Sequence, residues 1–152
     1  MGGDGEFSIV AGVAGVDGWA RSRLALKWAG TEARLRNGQI RAVTAFEFPP
    51  PTVGMEDLVW DPDVFPKTAR HLQNEALKRV DSEGVTVTRD VVQGNAATVL
   101  LRAAETDLLV VGSRGLGGFI GLLLGSVFTQ VLHHSPCPVL VVRNRSRTAG
   151  EE

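Results

Sequence analysis

The sequence has little cysteine, no excess of positive charge and no long uninterrupted hydrophobic run. Its one cysteine, Cys137, excludes an internal disulfide. The 16 Lys and Arg residues are balanced by 17 Asp and Glu residues, which argues against nucleic acid as the main partner, because a phosphate backbone attracts clustered positive charge. The uncharged stretch 116–132 falls short of the roughly 18 to 20 residues of a membrane-spanning helix and is interrupted by glycines, so we expect no membrane partner.

Length and composition are those of a single folded domain. The chain has 152 residues, of which 43% are hydrophobic and 22% charged, a composition too hydrophobic for a disordered chain. Residues 1–6 lack the basic and apolar segments of a secretory signal peptide, so a cytoplasmic protein is expected. No second domain or repeat is visible, and the segments 1–7 and 144–152 are expected to be flexible tails.

Strand and helix patterns alternate along the chain. The predicted elements are strand 8–16, helix 21–36, strand 40–48, a helix that begins between residues 61 and 66 and ends before Gly84, strand 85–92, helix 95–105, strand 108–111, a helix from 126 to before Pro136, and strand 138–142. Strict alternation with apolar strands predicts an α/β fold with right-handed crossovers and a parallel sheet. Strand 85–92 alternates in polarity and is expected at a sheet edge.

Apolar and capping residues mark the helices. In the first helix, apolar residues recur at near-helical spacing at Leu24, Ala25, Trp28, Ala29 and Leu35. Asn37-Gly38 is the predicted end of this helix. The second helix shows the same spacing at Ala69, Leu72, Ala76 and Val80. Asn95 is a candidate N-cap of the third helix, and Val127, Phe128, Val131 and Leu132 are assigned to the apolar side of the fourth.

Two strand ends carry residues suited to a ligand. Asp17-Gly18 follows the first strand, and Gly112-Ser113-Arg114-Gly115 follows the fourth; nine residues later, Gly125-Ser126 begins a helix. Ligands of open parallel sheets bind beyond the carboxyl ends of strands, and free N–H groups at a helix start suit phosphate. The segment fits neither the Walker A nor the G-x-G-x-x-G pattern. From glycine content alone, a plain flexible loop at 115–125 is the favoured interpretation.

Several segments closely resemble the universal stress protein family. They are Val13–Gly18, Leu24–Ala29, Asp107–Phe119, Leu124–Val127 and Ser135–Val142. The most specific feature is the spacing of glycine, two residues, glycine, nine residues and glycine-serine, which in that family marks the ATP-binding branch. The resemblance covers residues 8–143, which it implies are one universal stress protein domain. It implies a Rossmann-like, adenine nucleotide alpha hydrolase-like fold with a five-stranded parallel sheet of order 3-2-1-4-5 and two helices on each face.

The resemblance also implies an ATP site with Mg²⁺ or Mn²⁺ bridging the phosphates. Adenine and ribose would lie near Asp17 and Ala45 at the end of the second strand. The triphosphate would lie on Gly112, Arg114, Gly115, Gly125, Ser126 and Val127. Two of these residues keep alternatives: Arg114 is either a phosphate ligand or a solvated loop residue, and Asp17 is also suited to cap the first helix. The family usually has a small hydroxyl residue where this chain has Trp19, which either packs on the helix, stacks near the base or narrows the pocket.

The sequence shows no set of residues in the order or spacing of a known catalytic site. No Ser-His-Asp order emerges, and Ser113, Ser126 and Ser135 lie outside any G-x-S-x-G elbow. His133 and His134 are adjacent on a helix and point apart, so no metal site is expected. Cys137 is interpreted as a buried structural thiol.

We therefore expect an ATP-binding stress-response sensor or regulatory module with slow hydrolysis at most. The resemblance implies a homodimer through the outer strand Val139–Val142. Two alternatives stay open. One is a nucleotide-transforming hydrolase or transferase with Asp17 as the only candidate base, and the other is a dimeric scaffold with a vestigial pocket. The Pro-rich stretch 46–60 is either a lid or an inert surface loop.

Overall fold

The computed structural model describes residues 6–12, 19–48, 61–78, 84–112 and 126–142, with the backbone alone at 19–22 and 126–128. Within these ranges, the elements in chain order are β1 (Ser8–Gly12), α1 (Trp19–Arg36), β2 (Gln39–Phe46), α2 (Val64–Lys78), β3 (Val87–Gln93), α3 (Ala96–Ala103), β4 (Leu108–Gly112), α4 (Ser126–His134) and β5 (Val139–Val142). The predicted alternation of strand and helix is confirmed.

The strands form one five-stranded parallel sheet of order β3-β2-β1-β4-β5, as expected. β1 is central, and its Ile9 lies opposite Ile40 of β2 on one side and Leu108 of β4 on the other. β3 occupies one edge, as its alternating polarity predicted, and β5 occupies the other. The chain therefore extends the sheet in both directions from β1, which is the topology of a doubly wound α/β domain.

Helices cover both faces of the sheet. On one face, α1 and α2 pack on the side chains of Ile9, Ala11 and Ile40. On the other face, α3 and α4 pack on Val10 and Val43, which point the opposite way because side chains alternate along a strand. Each face has its own cluster of fully buried residues, so the sheet is the middle of three layers.

A hydrogen-bonded tie at the amino ends of β1 and β4 fixes their register. The Asp107 carboxylate accepts from the Ser8 amide at 2.8 Å, and the Thr106 hydroxyl donates to the Ser8 carbonyl, also at 2.8 Å. The Asp107 amide donates to the same carbonyl at 3.1 Å. A shift of one residue between the two strands would break all three bonds and turn the buried side chains to the wrong face.

The helix ends follow the predicted caps. Asn37 takes the left-handed conformation, with φ of 52°, and the Gly38 amide donates to the carbonyl of Ala33 at 2.7 Å. Gly38 has no room for a side chain, since a Cβ there would lie 2.5 Å from the carbonyl oxygen of Phe7. At the start of α3, the Asn95 side chain accepts from the amides of residues 97 and 98, which confirms it as the N-cap.

The face on which α1 packs differs from the stripe of large residues in its sequence. Among residues 23–36 of α1, the buried ones are Ala25, Leu26, Ala29, Gly30 and Ala33. Trp28 is 48% exposed and Leu35 is 74% exposed. Small side chains lie on the sheet side, since alanine lets a helix backbone come close to a sheet. Of the large apolar residues that helped to predict this helix, Trp28 and Leu35 lie on its outer side, whereas Leu24 packs against the buried cluster. Leu132 of α4, assigned to an apolar side, is likewise 42% exposed.

Candidate functional site

The carboxyl ends of β1 and β4 form the point where the sheet changes direction. From β1 the chain continues through β2 and β3 towards one edge, whereas β4 lies on the other side of β1 and leads to β5. Connections that leave in opposite directions open a crevice between the two strand ends, and ligands of such sheets bind there. From this topology, we expect a ligand to bind beside the segments that follow residues 12 and 112.

Small residues stand where these strands end. β1 ends at Gly12, β4 ends at Gly112, and Ala45 is the second-last residue of β2. A Cβ at Gly12 would lie 3.1 Å from a methyl carbon of Leu100 and 3.3 Å from one of Val111, so close packing of α3 is one reason for this glycine.

The described residues hold four of the eight predicted site residues. Ala45 and Gly112 lie at the carboxyl ends of β2 and β4, and Ser126 and Val127 are the first two residues of α4, as the predicted helix start required. Asp17, Arg114, Gly115 and Gly125 lie outside the described residues. The nine-residue α4 is long enough for its first amide groups and its dipole to attract an anion.

The end of β2 is anchored by a side chain that sequence patterns did not single out. Gln73 of α2 is fully buried, and its Nε2 donates to the Asp90 carbonyl at 2.8 Å, the Thr44 hydroxyl at 3.0 Å and the Ala42 carbonyl at 3.3 Å. These bonds join α2 to both β2 and β3, one residue before Ala45. The Oε1 atom of Gln73 is buried and has no hydrogen-bond partner in the described part of the chain.

One signal in the sequence could have identified this glutamine. The buried residues of α2 are Ala69, Gln73 and Ala76, which follow the i, i+4, i+7 spacing of an inward face. A polar residue on such a face needs a hydrogen-bond partner, and the edge of β2 and β3 supplies it. Leu72, which was chosen for that face, is half-buried.

Three phenylalanines form an edge-to-face series beside the carboxyl end of β2. The Phe46 and Phe48 ring centroids are 5.7 Å apart at 86°, and the Phe48 and Phe65 centroids are 5.5 Å apart at 81°. The Gly94 amide donates to the Phe46 carbonyl at 2.8 Å, which ties this end of β2 to the end of β3. Phe48 remains 40% exposed. The rest of the Pro-rich stretch, 49–60, lies outside the described residues.

The other residues considered from sequence have structural surroundings. Cys137 is half-buried rather than buried, and the Ser135 hydroxyl donates to its carbonyl at 2.8 Å in the turn before β5. Across the described ranges, no group of three His, Cys, Asp or Glu side chains is placed to hold a metal ion. No helix in those same ranges has the length and hydropathy needed to cross a membrane.

Comparison with known proteins identifies the family. The model of the Universal stress protein family matches residues 13–143. A universal stress protein of Mycolicibacterium smegmatis is 31% identical over 160 residues, an alignment that covers 96% of this chain and 51% of the relative. A Thermus aquaticus relative is 33% identical over 134 residues, covering 84% of this chain and 93% of the relative. The chain therefore spans about half the length of the mycobacterial relatives and nearly all of the Thermus one.

Solved structures agree with this assignment. Universal stress protein UspA from Lactobacillus plantarum superposes with a TM-score of 0.72 at 20% identity, covering 90% of this chain and 97% of that one, and shows the shared fold. A universal stress protein crystallised in complex with cAMP is 29% identical, with a TM-score of 0.66 and coverage of 90% and 96%. On the match to the family model, the sequence relatives and the shared sheet, this chain belongs to the universal stress protein family.

Proposed function

We propose that this protein binds ATP, with Mg²⁺ or Mn²⁺ on the phosphates, and acts as a nucleotide-dependent regulator in a stress response. The observation that carries the proposal is the meeting of side-chain-free strand ends, Gly12 and Gly112, at the point where the sheet changes direction. The adenine half would lie near Asp17 and Ala45. The phosphate half would lie on the glycine motif and the start of α4.

Three features support an adenine nucleotide in particular. The relative that is 29% identical was crystallised with cAMP, an adenine nucleotide. Ala45 gives the end of β2 a small side chain, which would let a base edge approach the backbone there. The glycine spacing from Gly112 to Ser126 would offer amide hydrogens to a polyphosphate, and Arg114 would add a positive charge beside it.

Regulation is proposed rather than rapid catalysis because the motif contains no lysine and no base. Phosphoryl transfer needs groups that position the phosphates and the attacking water, and Asp17 is the one acidic residue that sequence order brings near the site. Any divalent cation would be held mainly by the phosphates, and when bound it would neutralise part of their charge. Slow hydrolysis at most is the expected activity.

Isothermal titration calorimetry with Mg-ATP tests the nucleotide site. Wild-type protein should bind ATP, and Gly115→Val and Gly125→Val should each abolish the binding heat, because a branched side chain occupies the space of a phosphate. Gly150→Val, the same change in the predicted C-terminal tail, is the matched control. Unchanged affinity in both motif variants, or no heat with wild-type protein and no nucleotide released on denaturation, would refute the proposal.

Turnover separates the regulatory proposal from the enzymatic alternative. Steady conversion of ATP to AMP that is lost in Asp17→Asn would establish a nucleotide-transforming enzyme and refute a mainly regulatory role. A dimer that neither carries nor binds nucleotide would instead favour a scaffold. Mass spectrometry of the small molecule released on denaturation distinguishes these outcomes directly.

We also propose that two copies pair through β5. This strand is the sheet edge that carries Val139, Leu140 and Val141, all half-buried and uncharged. The opposite edge, β3, is polar and carries the exposed Arg41–Asp90 ion pair with β2. An apolar edge with open backbone groups invites antiparallel pairing with a second copy, whereas charged side chains protect an edge.

A proline at position 141 tests the dimer without disturbing the sheet. The Leu109 amide donates to the Pro138 carbonyl at 3.0 Å, so in the parallel pattern the backbone groups of Val141 point away from β4. Val141→Pro should therefore remove an outward donor and halve the mass in light scattering, and Val141→Thr, which keeps the donor, should remain dimeric. A wild-type monomer at micromolar concentration would refute this proposal.

A further inference from the structure

β2 extends further at its carboxyl end than its neighbour β1. The ladder between β1 and β2 ends at the pair of Gly12 and Val43, whereas the ladder between β2 and β3 continues to the pair of Phe46 and Gln93. Within the described ranges, therefore, no residue of β1 lies opposite Ala45. The end of β2 is held by β3 on one side, and its other side borders the crevice in which the proposed nucleotide would bind.

The backbone of Ala45 points towards that crevice. The Gln39 amide donates to the Phe7 carbonyl on the β1 side of β2, and the Phe46 carbonyl accepts from the Gly94 amide on the β3 side. Because successive residues of a strand turn their backbone groups to opposite sides, Ala45 turns its N–H and C=O to the same side as Gln39. One residue thus presents a donor and an acceptor together towards the β1 side.

A donor and an acceptor in fixed positions distinguish adenine from a 6-oxopurine. Adenine offers its 6-amino donor to the carbonyl and its N1 acceptor to the N–H. Hypoxanthine or guanine in the same pose offers an oxygen to the carbonyl and an N1–H to the N–H, so both contacts are repulsive. The preference for adenine therefore depends on how firmly the direction of these two backbone groups is fixed.

Gln73 holds this part of β2 from the opposite face of the sheet. Its side chain on α2 is 0% exposed, and its Nε2 donates at 3.0 Å to the hydroxyl of Thr44, the residue directly before Ala45. The same Nε2 donates to the carbonyls of Ala42 on β2 and Asp90 on β3. Ala45 itself packs against the cluster beneath α3 and α4. Gln73 therefore fixes the strand end without lying on the side of the Ala45 side chain.

The second polar atom of Gln73 indicates a role beyond packing. Its Oε1 is buried and has no hydrogen-bond partner in the described part of the chain. A buried acceptor without a partner costs free energy, and departures of this kind from a fully satisfied core are concentrated at functional sites. What the glutamine provides in return is a connection from one helix to two adjacent strands, which specifies where β2 ends.

We propose that Gln73 is a positioning residue that sets the preference of the site for adenine over 6-oxopurines, because it fixes the N–H and C=O of Ala45. It acts through Thr44 and the β2–β3 ladder and not by contact with the base. This role rests on the proposed nucleotide function of the site, whose base specificity it defines.

Calorimetric titration with the magnesium complexes of ATP and inosine triphosphate tests this role, because the two nucleotides differ only at N1 and the 6-position of the base. Wild-type protein should bind ATP at least about tenfold more tightly than inosine triphosphate. Gln73→Met keeps the length of the side chain but removes its donors, and it should reduce this ratio of affinities at least about fivefold. Thr44→Val removes one acceptor and leaves Gln73 in place, and it should reduce the ratio about two- to threefold.

The ratio separates positioning from a loss of stability. Partial unfolding lowers the apparent affinities for both nucleotides by the same factor, so it leaves their ratio unchanged. Asp107→Ala is the matched control, since it removes a hydrogen bond at the amino ends of β1 and β4, at the opposite edge of the sheet. Its ratio should stay within about twofold of wild type. Thermal melting checks that each variant folds, and if Gln73→Met does not, Thr44→Val decides the test.

Each failure gives a distinct result. Wild-type protein that binds neither nucleotide refutes the nucleotide site and this role with it. Equal wild-type affinity for ATP and inosine triphosphate is compatible with a nucleotide site but overturns base reading at Ala45. A wild-type ratio in both Gln73→Met and Thr44→Val, or an equal fall of the ratio in Asp107→Ala, overturns the positioning role of Gln73 alone.

Discussion

The burial and hydrogen bonds of Gln73 predict a large loss of unfolding free energy when this residue is replaced by glutamate. Replacing it by glutamate keeps the size and shape of the side chain but removes its amide donor. In Gln73→Glu, a carboxylate oxygen would face the carbonyls of Ala42 and Asp90 and the hydroxyl of Thr44, at positions now 2.8 to 3.3 Å from Nε2. Two of these three groups can only accept hydrogen bonds, so they would repel the carboxylate.

The magnitude follows from burial. Position 73 is 0% exposed, and full burial raises the pKa of a carboxyl group by roughly 3 to 5 units because the charged form loses its hydration. At 1.36 kcal/mol per unit, the variant should lose about 4 kcal/mol of unfolding free energy at pH 7. For a chain of this length, that lowers the melting temperature by roughly 10 °C. Gln73→Leu, which loses the donors but also the unpartnered Oε1, should lose about 1 to 2 kcal/mol.

The pH dependence has a definite sign. A carboxyl group whose pKa is raised in the folded state binds its proton more tightly there, so folding takes up a proton. The deficit of Gln73→Glu relative to wild type should therefore be smallest below about pH 4.3, the ordinary value for glutamate, and should grow as the pH rises.

Urea unfolding at several pH values measures this, with Gln93→Glu as the control. Gln93 is exposed on β3, so the same chemical change there should cost less than about 0.5 kcal/mol. If Gln73→Glu stays within about 1 kcal/mol of wild type at pH 7, or if the two variants lose equal stability, the reasoning from burial and hydrogen bonding is wrong.

Three further substitutions test local features by thermal or urea unfolding. Gly38→Ala should lose about 2 to 3 kcal/mol of unfolding free energy, because its Cβ would lie 2.5 Å from the Phe7 carbonyl oxygen. The control Gly84→Ala lies in open space with φ of 79° and should lose only about 1 kcal/mol. Equal losses in the two variants would contradict the steric argument. Asn95→Ala should lose about 1 kcal/mol through the missing cap and Asn95→Asp should restore it, so a neutral alanine variant would refute the capping role. Asp107→Ala should lose about 1 to 3 kcal/mol, because the amide at the start of β1 loses its charged acceptor, and a loss below about 0.5 kcal/mol would show that water replaces it.

The sequence was sufficient to predict the layers of the fold but not the face of every helix. Buried strands such as β4 read as continuous apolar runs, and Asn37-Gly38 and Asn95 mark helix ends by local chemistry that does not depend on the rest of the chain. The packing face of α1 could not be read in the same way. Leu24, Trp28 and Leu35 form a clear stripe, but the alanines beside them form another, and only the distance from helix to sheet selects between the two.

The candidate site was predictable to the extent that topology and spacing define it. The strand ends at Ala45 and Gly112 and the helix start at Ser126 follow from the alternation of elements and the glycine spacing. Gln73 was missed because its partners are backbone carbonyls of two strands, and which carbonyls lie beside a helix depends on register rather than on residue type. The roles of all eight predicted site residues in nucleotide binding remain predictions.

The tie between Ser8 and Asp107 has a consequence for synthesis on the ribosome. The two residues are 99 positions apart in the chain, and the strand that emerges first is the one that ends up in the centre of the sheet. During translation, Ser8–Gly12 can pair with Gln39–Phe46 early, but its other side stays open until Leu108–Gly112 has been made. The nascent chain therefore exposes an unpaired apolar strand for several seconds at roughly 5 to 20 residues per second, and this is the interval in which a chaperone would protect it.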